Sequence, residues 1–222
     1  MLSPAATTVE LVTGERMTVE EFLHSWEEQP NLKNAELIDG VVHVASPVSR
    51  EHGSIDTLIH WWLAHYAHAT PGCDAGNNST WLMLDSAPQP DAHLRILPSH
   101  GGQSGDDRLY CNGAPELAVE ICLTTEVDFG PKRKLYQRAC VQEYITIELF
   151  RKRLVWHVLQ NDVYFYQEYP PEGIFRSLVF PGLWLDVTAI WAEDGAKMLA
   201  ALNAGLSSED HQKFVERLAA AK

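Results

Sequence analysis

Three side chains in this sequence stand where packing alone would call for something apolar. Glu120 interrupts the run Glu116-Leu117-Ala118-Val119-Glu120-Ile121-Cys122-Leu123, which otherwise has the make-up of a buried central strand. Asp91 belongs to the alternating stretch 90–96, and Lys132 shares one helical stripe with Leu135, Tyr136 and Ala139. An ionised carboxylate in a sheet core is costly unless it is paired or metal-bound. If these consecutive elements lie side by side, two carboxylates and an amine converge on one point. Such a set suits phosphodiester hydrolysis. Hard oxygen ligands hold Mg²⁺ or Mn²⁺, the ion polarises the phosphate and helps make hydroxide, and a lysine orients or deprotonates the water and balances developing charge. Close carboxylates also raise each other's pKa, a strain that a cation relieves. On spacing alone, a buried Glu–Lys ion pair explains the same residues, and Pro-Asp dipeptides commonly just begin strands and turns. Both readings stay open at this point.

The elements that would position these residues follow from pattern. Thr18 with Glu21 forms a capping box, with Met17 and Phe22 as a hydrophobic staple, for a helix over 18–28 that Pro30 stops. Residues 36–45 read as a hairpin about the turn Asp39-Gly40. Ile55, Leu58, Ile59, Trp62, Leu63 and Tyr66 mark one face of a helix that should lie across a sheet. His52 is on that stripe at the helix start, where a core position and an approach to the site are both open to it; His60, His65 and His68 fall elsewhere and read as solvated. Residues 80–84 and 90–96 are predicted strands, the second with Asp91, His93 and Arg95 on a polar face. The stretch 98–113 is a long polar loop of the kind that can cover a ligand.

In the strand 116–123, Leu117, Val119, Ile121 and Leu123 share one face while Ala118, Glu120 and Cys122 share the other. Pro131 then suits the first turn of a helix reaching Ala139. That start would put Lys132 at the positive end of the helix dipole, unfavourable for a cation unless carboxylates are near. Residues 143–150, 154–159 and 163–168 alternate as strands of an antiparallel extension. Residues 194–203 are helical with Gly205 as a stop, and Ser207 with Asp210 starts a last helix reaching Ala220.

The 222-residue length and the 45% hydrophobic and 21% charged content indicate one soluble α/β domain. Its expected parts are a lead-in over 1–17, a domain over 18–194, and a helical segment over 195–222 packed on it. Cys73, Cys111, Cys122 and Cys140 show no C-x-x-C spacing, which argues against a zinc knuckle or a disulfide framework and suits a reducing cytoplasm. The N-terminal stretch has neither a basic segment nor a long apolar run, so no signal peptide or membrane span is expected. A formal net charge of -13 counts against avid, non-specific DNA binding but leaves room for a nuclease, because basic patches and divalent ions can act locally. Lys132-Arg133-Lys134 with Arg138, and Arg151-Lys152-Arg153, can be read as phosphate grips or as solvated faces. Trp62, Trp156 and Trp184 lie in apolar runs and read as core.

Pro90-Asp91, then Val119-Glu120-Ile121, then Asp128 and Lys132 ahead of Leu135-Tyr136, resemble the PD-(D/E)xK nuclease superfamily. More closely, the chain resembles the bacterial restriction endonucleases of the Uma2 (DUF820) type. Flanking segments agree: Glu36-Leu37-Ile38-Asp39-Gly40, Gly113-Ala114-Pro115-Glu116-Leu117, Val141-Gln142-Glu143-Tyr144 and Phe180-Pro181-Gly182-Leu183-Trp184-Leu185. The resemblance covers roughly 17–194. It implies a restriction-endonuclease-like mixed β-sheet flanked by helices, Mg²⁺ or Mn²⁺ as cofactor and DNA as substrate. It implies Asp91, Glu120 and the Ile121 backbone carbonyl as metal ligands, and Lys132 as the catalytic lysine in place of one at position 122, where this chain has Cys122. Glu36 becomes an accessory ligand or orienter, with His52 and Asp128 further accessory candidates. A nuclease fold kept as a weakly active or silent DNA-binding or accessory protein is the alternative function, and a homodimer is open by analogy of fold.

Overall fold

The computed structural model describes residues 10–32, 34–45, 47–107, 109–123 and 125–221, and of 125–129 only the backbone. The N-terminal layer forms as the local signals dictate. Helix α1 (Val19–Glu27) starts at Thr18, whose side chain accepts from the Glu21 N–H while the Glu21 carboxylate accepts from the Thr18 N–H. Strands β1 (Ala35–Ile38) and β2 (Val41–Val44) pair antiparallel about Asp39 and Gly40, both left-handed at φ 52° and 71°. That is the type I′ geometry whose twist matches the strands it joins. Phe22, Leu37 and Val42 form a small core here, with Met17 packed against it.

A six-stranded mixed sheet occupies the centre. Its strands are β3 (Cys73–Asn77), β5 (Ala92–Ile96), β8 (Leu117–Cys122), β9 (Glu143–Glu148), β10 (Arg153–Gln160) and β11 (Val163–Tyr166), in the order β11-β10-β9-β8-β5-β3. Only β8 and β9 run parallel; helix α3 (Thr125–Arg138) makes the crossover that this pairing demands. The β11-β10-β9 end is the antiparallel extension expected from alternation, with Asn161 and Asp162 left-handed in the β10–β11 turn. Helix α2 (Arg50–Ala69) packs its Ile55, Ile59, Trp62, Leu63 and Tyr66 stripe on one face of the sheet. The same core takes in the hairpin of β12 (Ile174–Arg176) and β13 (Trp184–Asp186), and helices α4 (Val187–Trp191), α5 (Gly195–Leu206) and α6 (Glu209–Ala220). Trp62 meets Trp156 edge to face at 6.3 Å, an arrangement that contributes about 0.5–1.5 kcal/mol beyond area burial. The other face is covered by α3, with Leu135 and Tyr136 buried against Ala118 and Tyr144.

Several expectations change. Helix α3 begins at Thr125, so Pro131 lies inside it and Lys132 is away from its positive end. The dipole penalty expected for Lys132 therefore does not apply, since the effect is confined to the first turn. The 80–84 strand reduces to β4 (Trp81–Leu82), because Leu84 turns left-handed at φ 54°. The 98–113 stretch is partly ordered: β6 (Gly105–Asp106) and β7 (Cys111–Asn112) join β4 in a three-stranded sheet. The polar face of β5 is buried, with His93 edge-on to Trp81 and Arg95 paired to Asp74 and Asp106. Gly205 lies within α5 rather than ending it; a Cβ there would overlap the Gly182 carbonyl, so the glycine permits that close approach. The α6 cap is Ser208, one residue later than expected. Among the described residues, no helix is long and apolar enough to cross a membrane.

Candidate active site

Register brings the first two residues together. β5 and β8 pair with Ala92 opposite Val119 and His93 opposite Ala118, so the ladder carried one residue further sets Asp91 against Glu120. Glu120 projects from the face of Ala118, which α3 covers. The Lys132 stripe of α3 looks down on that face. Lys132 Nζ lies 2.8 Å from Glu120 Oε2 and 2.8 Å from Glu36 Oε1, the latter reaching in from β1. Asp91 Oδ2 accepts the Ile121 N–H at 2.6 Å. The Tyr136 hydroxyl donates to Glu120 Oε1 at 2.7 Å, and the Gln89 N–H donates to Glu36 Oε1 at 2.6 Å. Each carboxylate is thus fixed by at least one neutral donor before any ligand is considered.

The charges do not balance within this cluster. Asp91, Glu120 and Glu36 surround one ammonium. Burial pushes the Glu120 carboxyl up to about 8; Lys132 pulls it down, and the Asp91 and Glu36 charges push it up further. Burial also raises Asp91, against the Lys132 charge and the Ile121 N–H. For Lys132, burial alone would favour the neutral amine, but the Glu120, Glu36 and Asp91 carboxylates outweigh it and hold the ammonium well above its usual range. Lys132 is therefore a firmly protonated cation in this arrangement. Burial and the Glu120 charge likewise keep the Tyr136 phenol protonated, as its donation to Glu120 requires.

A sequence model of the Uma2 family, described as "Putative restriction endonuclease", matches residues 19–188. The chain belongs to the Uma2 family. Among curated proteins no match was found. Among solved structures, this Uma2 chain is similar to a "putative nuclease belonging to DUF820" from Anabaena variabilis ATCC 29413, at a TM-score of 0.62 and 15% identity, over 80% of this chain and 98% of the other. At that identity the likeness shows the fold alone: a mixed sheet flanked by helices.

In this Uma2 chain Asp91, Glu120, Lys132 and Glu36 meet, and Cys122 stays buried on β8 while Lys132 reaches the Glu120 carboxylate from α3. Ile121 turns its N–H toward Asp91, and a strand residue points N–H and C=O to the same edge, so its carbonyl faces that side too. His52 Nε2 is 3.9 Å from Asp91 Oδ1, at the rim of the cluster. The Asp128 side chain lies outside the described residues. His60 corrects the sequence reading: it is half-buried, and its Nε2–H donates to the Asp91 carbonyl oxygen at 2.6 Å. Asp56, near both histidines, was not anticipated. The signal for both was present, because His52, Asp56 and His60 recur every fourth residue and so share one side of α2.

Proposed function

We propose that the chain is a divalent-metal-dependent DNA endonuclease in which Asp91, Glu120 and the Ile121 carbonyl hold Mg²⁺ or Mn²⁺ and Lys132 acts beside them. The supporting observation is the single cluster in which Lys132 Nζ bridges Glu120 and Glu36 at 2.8 Å next to Asp91. The donor set fits a hard dication: two carboxylates and a carbonyl supply oxygen only, and the carboxylates exceed the ammonium. Glu120 already accepts from Tyr136 and Lys132, one on each oxygen, which leaves a second lone pair on each for an ion. When bound, such an ion polarises a phosphoryl oxygen and makes water acidic enough to attack at neutral pH.

The protein's own groups then have distinct tasks. Tyr136 and the Ile121 N–H fix the rotamers of Glu120 and Asp91. Glu36, held by the Gln89 N–H, is a positioning residue for Lys132. An ammonium has three N–H donors, and two are spent on Glu120 and Glu36; the third can orient a water or a non-bridging phosphate oxygen. Because three carboxylates hold it charged, Lys132 serves as a donor and charge balance rather than as the base. On the outer side of α3, Arg133 and Lys134 are exposed and make no ion pair among the described residues, so they are free to meet phosphates. Arg138, by contrast, pairs with Asp39, and Arg151 and Arg153 pair with Glu148. Incubation with supercoiled plasmid and Mn²⁺ tests the reading: EDTA-sensitive nicking that disappears in Asp91→Asn is expected, and nicking that survives Asp91→Asn would refute it.

A further inference from the structure

Beyond Glu120, a second set of ligating groups gathers on the other flank of Asp91. His52 and Asp56, one turn apart on α2, and Asp91, just before β5, each offer a ligand atom, and these atoms lie within 4.8 Å of one another. Around an octahedral ion with bonds of about 2.1 Å, ligand atoms are about 3–4.2 Å apart, so small rotamer changes would close this set on one ion. All three side chains are half-buried, with exposures of 14% for His52, 23% for Asp56 and 19% for Asp91, which leaves an approach from solvent.

The hydrogen bonds leave this set incomplete. Asp56 Oδ1 is fully buried and makes no hydrogen bond among the described residues, a state that costs about 1–3 kcal/mol or more for a charged oxygen. Its nearest basic atom is His60 Nε2 at 3.4 Å, but that nitrogen's proton is committed to the Asp91 carbonyl oxygen at 2.6 Å. His60 is therefore fixed as the Nε2–H tautomer and cannot ligate through that atom. Asp91 is divided between its two sides: Oδ2 accepts from the Ile121 N–H, and Oδ1 faces His52 Nε2 at 3.9 Å. A carboxylate so placed can serve one ion through each oxygen.

We propose that His52, Asp56 and Asp91 form a second divalent-cation site, which shares Asp91 with the Glu120 site. This rests on the proposed function only for the role of Asp91 as a shared ligand. One imidazole with two carboxylates favours a first-row transition ion such as Mn²⁺ over Mg²⁺, because nitrogen ligands suit the former and Mg²⁺ prefers oxygen. Two ions across one carboxylate would let a phosphodiester be held on both its attacking and leaving sides.

The test is titration of metal-free protein with Mn²⁺, read by calorimetry for stoichiometry and by pulsed electron paramagnetic resonance for ¹⁴N modulation from a coordinated imidazole. Wild type should bind two ions per chain with nitrogen modulation. His52→Gln and Asp56→Asn should each bind one without it, with melting temperatures in EDTA near wild type to show that both fold. Glu120→Gln should also bind one ion but keep the modulation. A single ion in wild type without nitrogen modulation, or two ions retained in both His52→Gln and Asp56→Asn, would overturn the second site. One ion with nitrogen modulation that is unaffected by Glu120→Gln would support it and instead overturn the Glu120 site.

Discussion

Glu120 and Glu143 are both buried carboxylates on adjacent, parallel strands, yet their surroundings have little in common. Glu143 lies on the α2 side of the sheet, where its oxygens accept from the Ser177 hydroxyl at 2.5 Å and the Leu178 N–H at 2.8 Å. Glu116, just before the strand that holds Glu120, is similar: it accepts from the Ile96 N–H at 2.8 Å and the Gln103 N–H at 2.9 Å. Those two carboxylates meet only neutral donors in these hydrogen bonds, from the loops at Ser177, Leu178 and Gln103 and from the end of β5. Glu120 instead meets an ammonium, a phenol and two further acids. Burial alone does not single out a candidate site carboxylate; company with other ionisable groups is what sets Glu120 apart.

The largest effect should separate these classes by activity. Asp91→Asn is expected to lower the plasmid-nicking rate at least 100-fold, whereas Glu143→Gln should leave the rate per folded molecule within about two-fold; equal losses in both would erase the distinction. Stability should show the reverse order. Glu143→Ala strands the Ser177 hydroxyl and the Leu178 N–H and is expected to cost about 2–4 kcal/mol in urea unfolding, more than Asp91→Asn costs.

A gentler contrast uses pH. Burial raises the Glu143 carboxyl to about 7, from an ordinary 4.5, against the pull of its hydrogen bonds. Between those values the unfolded chain has released this proton and the folded chain has not, so stability falls as pH rises from 4.5 to 7 and levels off above. Glu143→Gln removes the charge, accepts the Leu178 N–H through its carbonyl oxygen and turns its NH2 to donate to the Ser177 oxygen, so it should gain on the order of 1–3 kcal/mol over wild type at pH 8 and about nothing at pH 4. A gain that is the same at both pH values would contradict the assignment. The smallest effect is expected at the surface: Arg138→Ala, which breaks the exposed pair with Asp39, should change stability by less than about 0.5 kcal/mol.

The Glu120 side of this contrast is legible in the sequence. The misfit of Glu120 in an apolar run and of Lys132 on an apolar stripe pointed to one another, because period-2 and period-3.6 patterns fix which side each residue takes. The β1–β2 turn and the α1 cap were legible for the same local reason. What stayed hidden depends on tertiary partners. His93 and Arg95 read as a wet face until Trp81, Asp74 and Asp106 covered them. Pro131 suits a helix start so well that it masks the preceding turns of α3 in the sequence and sets Lys132 too near the positive end of the dipole. Glu143 sat in an alternating strand without looking unusual, since Ser177 and Leu178 are distant in sequence. Asp56 and His60 escaped because polar helix residues are ordinarily solvated, and only the end of β5 brings them to Asp91.

The claim that Asp91 is the hub of a metal site while Glu143 only holds a loop is tested most directly by thermal unfolding in EDTA and in millimolar Mn²⁺. An ion at about 100 times its Kd stabilises the folded state by about 2.7 kcal/mol, which for a chain of this size raises Tm by about 5–10 °C. Wild type and Glu143→Gln should both show that rise, and Asp91→Asn should show none. A wild-type Tm that does not respond to Mn²⁺, or a rise that survives Asp91→Asn, would contradict it.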